Sequence, residues 1–226
     1  MVLVDIGNTN FHIWQNGKIE HLKKIKRFDE KIYYISVNNE KEKELLKLNP
    51  EAVNLKDYVI FNTEYKGIGI DRIMSCKSIT DGVVIDAGSA VTIDVMEKGV
   101  HKGGIITLGL YAFKQAFGKI SEVLKYEYGK IDKKLPLNTS EALNYGSLGA
   151  VVCLIEKVAE GKEIFLTGGD GRFLAEIIKG RYIEDLVFQG MLLTIEELRM
   201  ENCLKKKLKT ILHIFCFKHN YEMERK

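Results

Sequence analysis

Residues 2–10, VLVDIGNTN, and residues 83–91, VVIDAGSAV, share one form: an apolar run, an aspartate, then a small turn containing glycine. After the first, Phe11 to Trp14 resumes an apolar pattern that ends at Asn16-Gly17, a strong hairpin signal. The second belongs to VVIDAGSAVTIDVM at 83–96, which reads as two apolar strands broken at Ala87-Gly88-Ser89. A strand, turn, strand unit that occurs twice implies two similar lobes.

Outward from these units the pattern alternates. Lys31 to Val37 and Asn54 to Asn62 read as strands on either side of a charged helix at Glu40 to Leu48. Arg72 to Ile79 reads as a helix, Gly103 to Leu108 as a strand, and Leu110 to Leu124 and Ser140 to Ala159 as helices. A strand at Glu163 to Thr167 meets Gly168-Gly169, and helices at Arg172 to Lys179 and Gln189 to Met200 follow. This is an α/β chain, divided as residues 1–80, residues 81–202 and a basic tail at 203–226.

Composition narrows the functional classes. With 226 residues and 46% apolar content, the chain is long enough for one large domain or two small lobes with proper cores. The formal charge of +3 sits in the tail, where seven Lys/Arg face two Glu, so the body is near neutral and no basic surface for nucleic acid is expected. No apolar run approaches the roughly 20 residues of a membrane span, and the chain enters a strand pattern without a secretory leader, so a cytoplasmic protein is expected. Cys76, Cys153, Cys203 and Cys216 lie far apart and read as reduced thiols. Cys203, His213, Cys216 and His219 fit no common zinc spacing, and His12, His21 and His101 form no helical metal pair.

A nucleoside triphosphate site needs backbone amides near the phosphates, small residues that leave them accessible, and a carboxylate to organise magnesium. In DIGNTN, Gly7 and Asn8 suit the turn, Thr9 supplies a hydroxyl, and Asp5 stands at the strand end. Alone, this motif reads equally as an ordinary hairpin. The second turn, with Asp86, Gly88, Ser89, Thr92 and Asp94, supplies the context. There is no GxxxxGK[ST] loop, no protein-kinase signature, and Gly67-Ile68-Gly69 is not completed to GxGxxG.

Two facing phosphate hairpins resemble the acetate and sugar kinase, actin and heat-shock chaperone superfamily, which implies two ribonuclease H-like lobes with nucleotide between them. Within it, the order of segments resembles type III pantothenate kinases over most of residues 1–200. The segments are DIGNTN at 5–10, GIDR at 69–72, VIDAGSAVTID at 84–94, GGIITLG at 103–109, NTSEALNYG at 138–146 and LTGGD at 166–170. The resemblance implies ATP-dependent phosphorylation of pantothenate in the first step of coenzyme A synthesis. It implies Asp71 as general base and Asp5, Ile6, Gly7, Asn8, Thr9, Asn10, Phe11, His12, Ser89, Gly168 and Gly169 as nucleotide contacts. Asp86 resembles the ligand of a monovalent cation, potassium or ammonium, and Asp5 would meet the magnesium that accompanies ATP. Tyr65, Gly69, Ile70, Asp71, Arg72 and Thr139 fall on the pantothenate side, and the family implies a homodimer with no nucleic acid or membrane partner.

Other readings of the same residues stay open. Gly168 and Gly169 also suit simple strand-to-helix packing, Tyr65 a core or surface tyrosine, and Asp71 with Arg72 a helix N-terminal acid with a surface ion pair. Leu108 stands where the family's glycine-rich strand continues into Pro-Gly, and the chain is short for the family. A sugar or acid kinase of the same superfamily, or a non-catalytic nucleotide-binding regulator, are the alternatives.

Overall fold

Every residue of β1 (Val2–Ile6) except Asp5 is buried, as expected of a central strand covered on both faces. The structure, a computed structural model, describes residues 1–131 and 134–223, with side chains of the last helix described as far as residue 205. β1 pairs antiparallel with β2 (Phe11–Gln15), which turns at Asn16-Gly17 into β3 (Lys18–Leu22). Both turn residues have positive φ, the backbone a two-residue hairpin requires. On its other edge β1 runs parallel to β4 (Ile32–Ser36), which pairs with the short β5 (Val53–Asn54), giving the order β3-β2-β1-β4-β5. Helix α1 (Asn39–Leu48), capped by the Asn38 side chain, joins β4 to β5.

The second sheet repeats this plan. β6 (Gly82–Ala87) is central, flanked antiparallel by β7 (Ala90–Glu97), which pairs with β8 (Val100–Leu108), and parallel by β9 (Ile164–Thr167), which pairs with β10 (Arg181–Tyr182). The order β10-β9-β6-β7-β8 matches the first sheet position for position, so the chain is two ribonuclease H-like lobes. Helices α3 (Leu110–Ile120), α4 (Thr139–Ala159) and α5 (Gly171–Ile178) cover one face of this sheet, burying Leu148, Val151 and Ile155 against Val83, Ile85 and Ile93. Among the described helices α4 is the one long and apolar enough to cross a membrane by length and composition; here its buried face packs on the sheet.

Two helices fill the space between the sheets. Helix α2 (Ile70–Lys77) and the start of α6 (Leu186–Met223) pack together, with Ile70, Met74, Phe188 and Met191 against Leu3 and Ile35 of the first sheet. Cys76 and Leu186 meet Val84 and Met96 of the second. Burial alternates along a strand, so Asp5 shares a face with Leu3, and Asp86 shares one with Val84. Both aspartates therefore look toward the layer that contains α2.

The structure departs from the sequence expectations at several places. The strand expected over Asn54 to Asn62 ends at Asn54, whose side chain accepts from the Lys56 N–H at 2.9 Å and starts a 3-10 turn at Leu55–Asp57. Helix α3 stops at Ile120 because Ser121 is extended. The last helix, grouped by position with residues 81–202, lies against the first sheet, because Val187, Phe188, Met191 and Ile195 are its apolar stripe and that face was uncovered. Cys203 is exposed, while His213, Cys216 and His219 lie outside the residues whose side chains are described.

Candidate active site

Each central strand ends in a tight turn at the same edge of the interlobe layer. The first is closed by the Gly7 N–H donating to the Asn10 carbonyl at 3.1 Å, the second by the Gly88 N–H donating to the Ala90 carbonyl at 2.9 Å. Asn8, Thr9, Ser89 and Ala90 are exposed at the tips, and they face a shared cleft of about 360 Å³. Asp5, Asp71 and Asp86 line that cleft together with His12, Thr92, Gly168 and Gly169. It continues past Gly168-Gly169 into a pocket of about 370 Å³ between His12 and His21 on one side and Tyr182, Glu184 and Phe188 on the other.

Local constraints fix the three carboxylates. Asp71 is the second residue of α2, and its Oδ1 accepts the Arg72 N–H at 2.8 Å. The carboxylate lies over Gly69, where a Cβ would meet its Oδ1, so a larger residue at the helix start would push the Asp71 side chain from this position. Gly168 has φ +85°, and a Cβ there would meet Asp86 Oδ1 and the Ala87 carbonyl. Gly109 backs onto the Gly88 and Ser89 carbonyls in the same way.

The carboxylates raise one another's proton affinity. Burial, then the charges of Asp71 and Asp86, push Asp5 from 3.8 to about 8. Burial, then Asp71 and Asp94, push Asp86 from 3.8 to about 7. His12 moves the other way, to about 4, through burial and then the neighbouring His21 and Lys41, so it is a neutral ring at pH 7. A cation between the acids would relieve this repulsion. Among the described residues no three His, Cys, Asp or Glu side chains are close enough to hold a metal ion unaided. Phosphate oxygens and water would complete its shell.

The expected site residues are only partly brought together. Asp5, Gly7, Asn8, Thr9, Asn10, His12, Asp71, Asp86, Ser89, Gly168 and Gly169 line the cleft. Ile6 and Phe11 do not present side chains to it, because strand alternation turns both into the core of the first lobe. Ile70 is likewise buried, against the first sheet. Arg72 is no free cation: its Nε and Nη2 pair with the two oxygens of Asp94 at 3.0 and 2.6 Å, and its side chain is only 5% exposed. Tyr65 stacks on that guanidinium, 4.7 Å from ring centre to Cζ, and is not among the residues lining the cleft. Thr139 is exposed at the start of α4, after the Asn138 cap, also away from the cleft lining.

Two features carried no role in the sequence. Thr92 stands opposite Asp86 across β6 and β7, and its buried Oγ1 has no partner among the described residues. Asp94 lies opposite Val84 and is fully buried. Alternation along VVIDAGSAVTIDVM, with the turn at 88–89, puts Asp86, Thr92 and Asp94 on one face and could have marked both.

Comparison with known proteins gives a consistent picture. Residues 21–161 match the family model for type III pantothenate kinase. A protein of Wolinella succinogenes named type III pantothenate kinase is 42% identical over 206 residues, covering 88% of this chain and 98% of the relative. A Campylobacter jejuni protein (strain RM1221) of the same name is 41% identical, covering 87% and 97%. These relatives are shorter than this chain, so its length is no departure from them. A crystal structure described as a conserved putative Baf family transcriptional activator from Campylobacter jejuni is 38% identical, with a TM-score of 0.78, covering 88% of this chain and 99% of that one.

Proposed function

The chain belongs to the type III pantothenate kinase family, and from that premise we propose how its cleft transfers a phosphoryl group to pantothenate. The enzyme phosphorylates pantothenate with ATP, at the entry to coenzyme A synthesis, and a cytoplasmic location suits that chemistry. The observation that carries the mechanism is the meeting of Asp5, Asp71 and Asp86 between two glycine turns. The turn amides and the Thr9 and Ser89 hydroxyls receive the phosphates, and the nucleoside end extends past Gly168-Gly169 toward Tyr182 and Phe188. Asp71 accepts the proton of the pantothenate primary hydroxyl as its oxygen bonds to the γ-phosphorus and the bond to the departing ADP oxygen breaks. Asp5 would hold the magnesium that accompanies ATP, and Asp86 a potassium or ammonium ion; bound there, these cations offset charge on the phosphates. With its Nε and Nη2 held by Asp94, Arg72 has only Nη1 left to offer the acceptor's carboxylate.

ADP release with ATP, magnesium and pantothenate should require the acceptor and rise with potassium or ammonium. Turnover with a sugar or acid but not pantothenate would overturn the acceptor assignment. The two raised carboxylates add a pH signature. Their folded values lie above the ordinary 3.8, so their contribution to stability is complete below about 4 and is lost as pH rises through about 7 to 8. The nucleotide-free protein should melt lower at pH 8.5 than at pH 6, and ATP with magnesium and potassium should raise the melting temperature more at the higher pH. An equal ligand effect at both pH values would argue against cations at these acids.

We also propose a homodimer through the β8 edge. Ile106 and Leu108 on that strand, two residues apart and so on one face, are 56% and 48% exposed beside an unpaired strand edge. Light scattering should give twice the 25.7 kDa chain mass, and Ile106→Lys should shift it toward monomer. A monomeric wild type would refute this.

A further inference from the structure

Asp94 is a carboxylate with no exposed surface in the middle of an apolar strand. Such a group persists only when its charge is paired and its lone pairs are filled. Here both needs are met. Arg72 donates through Nε to Oδ2 at 3.0 Å and through Nη2 to Oδ1 at 2.6 Å, a two-pronged pairing. His101 Nε2 lies 2.8 Å from Oδ1, and its Nδ1 lies 2.7 Å from Thr63 Oγ1. The Tyr65 N–H donates to that same Oγ1 at 3.0 Å. One assignment satisfies every atom: Tyr65 N–H to Thr63, the Thr63 hydroxyl to His101 Nδ1, and His101 Nε2–H to Asp94. The other side of the pair is closed by Gly104, where a Cβ would strike both Asp94 Oδ1 and Arg72 Nη2.

The two ends of this clamp are the two halves of the reaction site. Asp94 is on β7, the strand that leaves the second phosphate turn, and it lies in a rigid register with β6 at Val84. Arg72 is the residue whose N–H holds the Asp71 carboxylate. We propose that Asp94 is a positioning residue for phosphoryl transfer: through Arg72 it sets Asp71 against the second phosphate turn. Thr63, His101 and Gly104 support the clamp without touching the cleft. The inference rests on the reading of Asp71 as the proton acceptor.

Asp94→Asn keeps the shape and removes the charge that orients Arg72. In protein that still melts cooperatively, kcat should fall about 10- to 100-fold, since an error of about 1 Å in a reacting group can cost that much, while the KM for ATP stays within about twofold. Combined with Asp71→Asn, the change should cause little further loss, because the clamp acts through Asp71. Thr63→Val removes the two outermost hydrogen bonds, the one to His101 and the one from the Tyr65 N–H, and should lower kcat about threefold or more with KM for ATP unchanged. A folded Asp94→Asn enzyme with wild-type kcat, or a full independent loss in the double variant, would overturn the proposal. If Asp94→Asn does not fold, Thr63→Val decides: unchanged kcat there also overturns it. Wild-type turnover in Asp71→Asn alone would instead remove the proton-acceptor reading on which the inference stands.

Discussion

Asp71→Asn should lower kcat about a thousandfold while ATP binding stays within about twofold, the size expected when a general base is lost from an otherwise intact site. The substitution is conservative in shape. The Asn oxygen can still accept the Arg72 N–H, and the residue still fits over Gly69. What it cannot do is take the proton from the acceptor hydroxyl. A second consequence separates this variant from a merely damaged one. The Asp71 charge is one cause, after burial, of the high proton affinity of Asp5 and of Asp86. Without it both groups should ionise at lower pH, so the nucleotide-free variant should lose less stability than wild type between pH 6 and pH 8.5. Single-turnover kinetics, nucleotide titration and melting at the two pH values test this. Turnover within tenfold of wild type would exclude Asp71 as the base.

The duplicated hairpin was legible because a two-residue period and a turn of Asp and Gly are local properties. From it came the two lobes, the two glycine turns and the matching places of Asp5 and Asp86 in them. Less was legible where the structure depends on which surface remains uncovered. The apolar stripe of α6 marks a buried helix but does not say that Val187 and Phe188 complete the first sheet rather than the second. The same applies to Arg72. A cation in GIDR reads as a ligand for an acid, and only the register of β7 against α2 reveals that Asp94 already occupies it. Ile6 and Phe11 belong by sequence to one contiguous segment with Asp5 and His12, but strands alternate, so a binding segment contributes side chains only at every second position. Thr139 sits in a recognisable helix cap, a local role that accounts for its neighbourhood without bringing it to the cleft.

The packing of α6 on α2 makes a sharper demand than any motif in the chain. At Gly190 the two helices approach so closely that a Cβ would overlap the Met74 carbonyl oxygen, with the Met74 carbonyl carbon at 2.7 Å and Cα at 2.9 Å. All three are backbone atoms in mid-helix, so no side-chain rotation relieves the overlap. One turn on, Thr194 Oγ1 lies 3.7 Å from Met74 Sδ, and Lys77 meets Glu197 at 2.9 Å, contacts between the two helices that would have to shift with them. Gly190→Ala should therefore destabilise the protein by about 2–3 kcal/mol despite the better helix propensity of alanine, lowering the melting temperature by roughly 5–10 °C. Gly146 supplies the contrast, because it is exposed on α4 with nothing near its missing Cβ. Gly146→Ala should leave stability unchanged or raise it by up to about 1 kcal/mol. The displaced helix in Gly190→Ala is the one that presents Asp71, so kcat should fall even at temperatures where the variant is fully folded. Equal melting temperatures for the two alanine variants would show that α2 and α6 can separate freely. In that event the close helix contact would not be what fixes Asp71 between the lobes, and the Arg72–Asp94 clamp would have to do so alone.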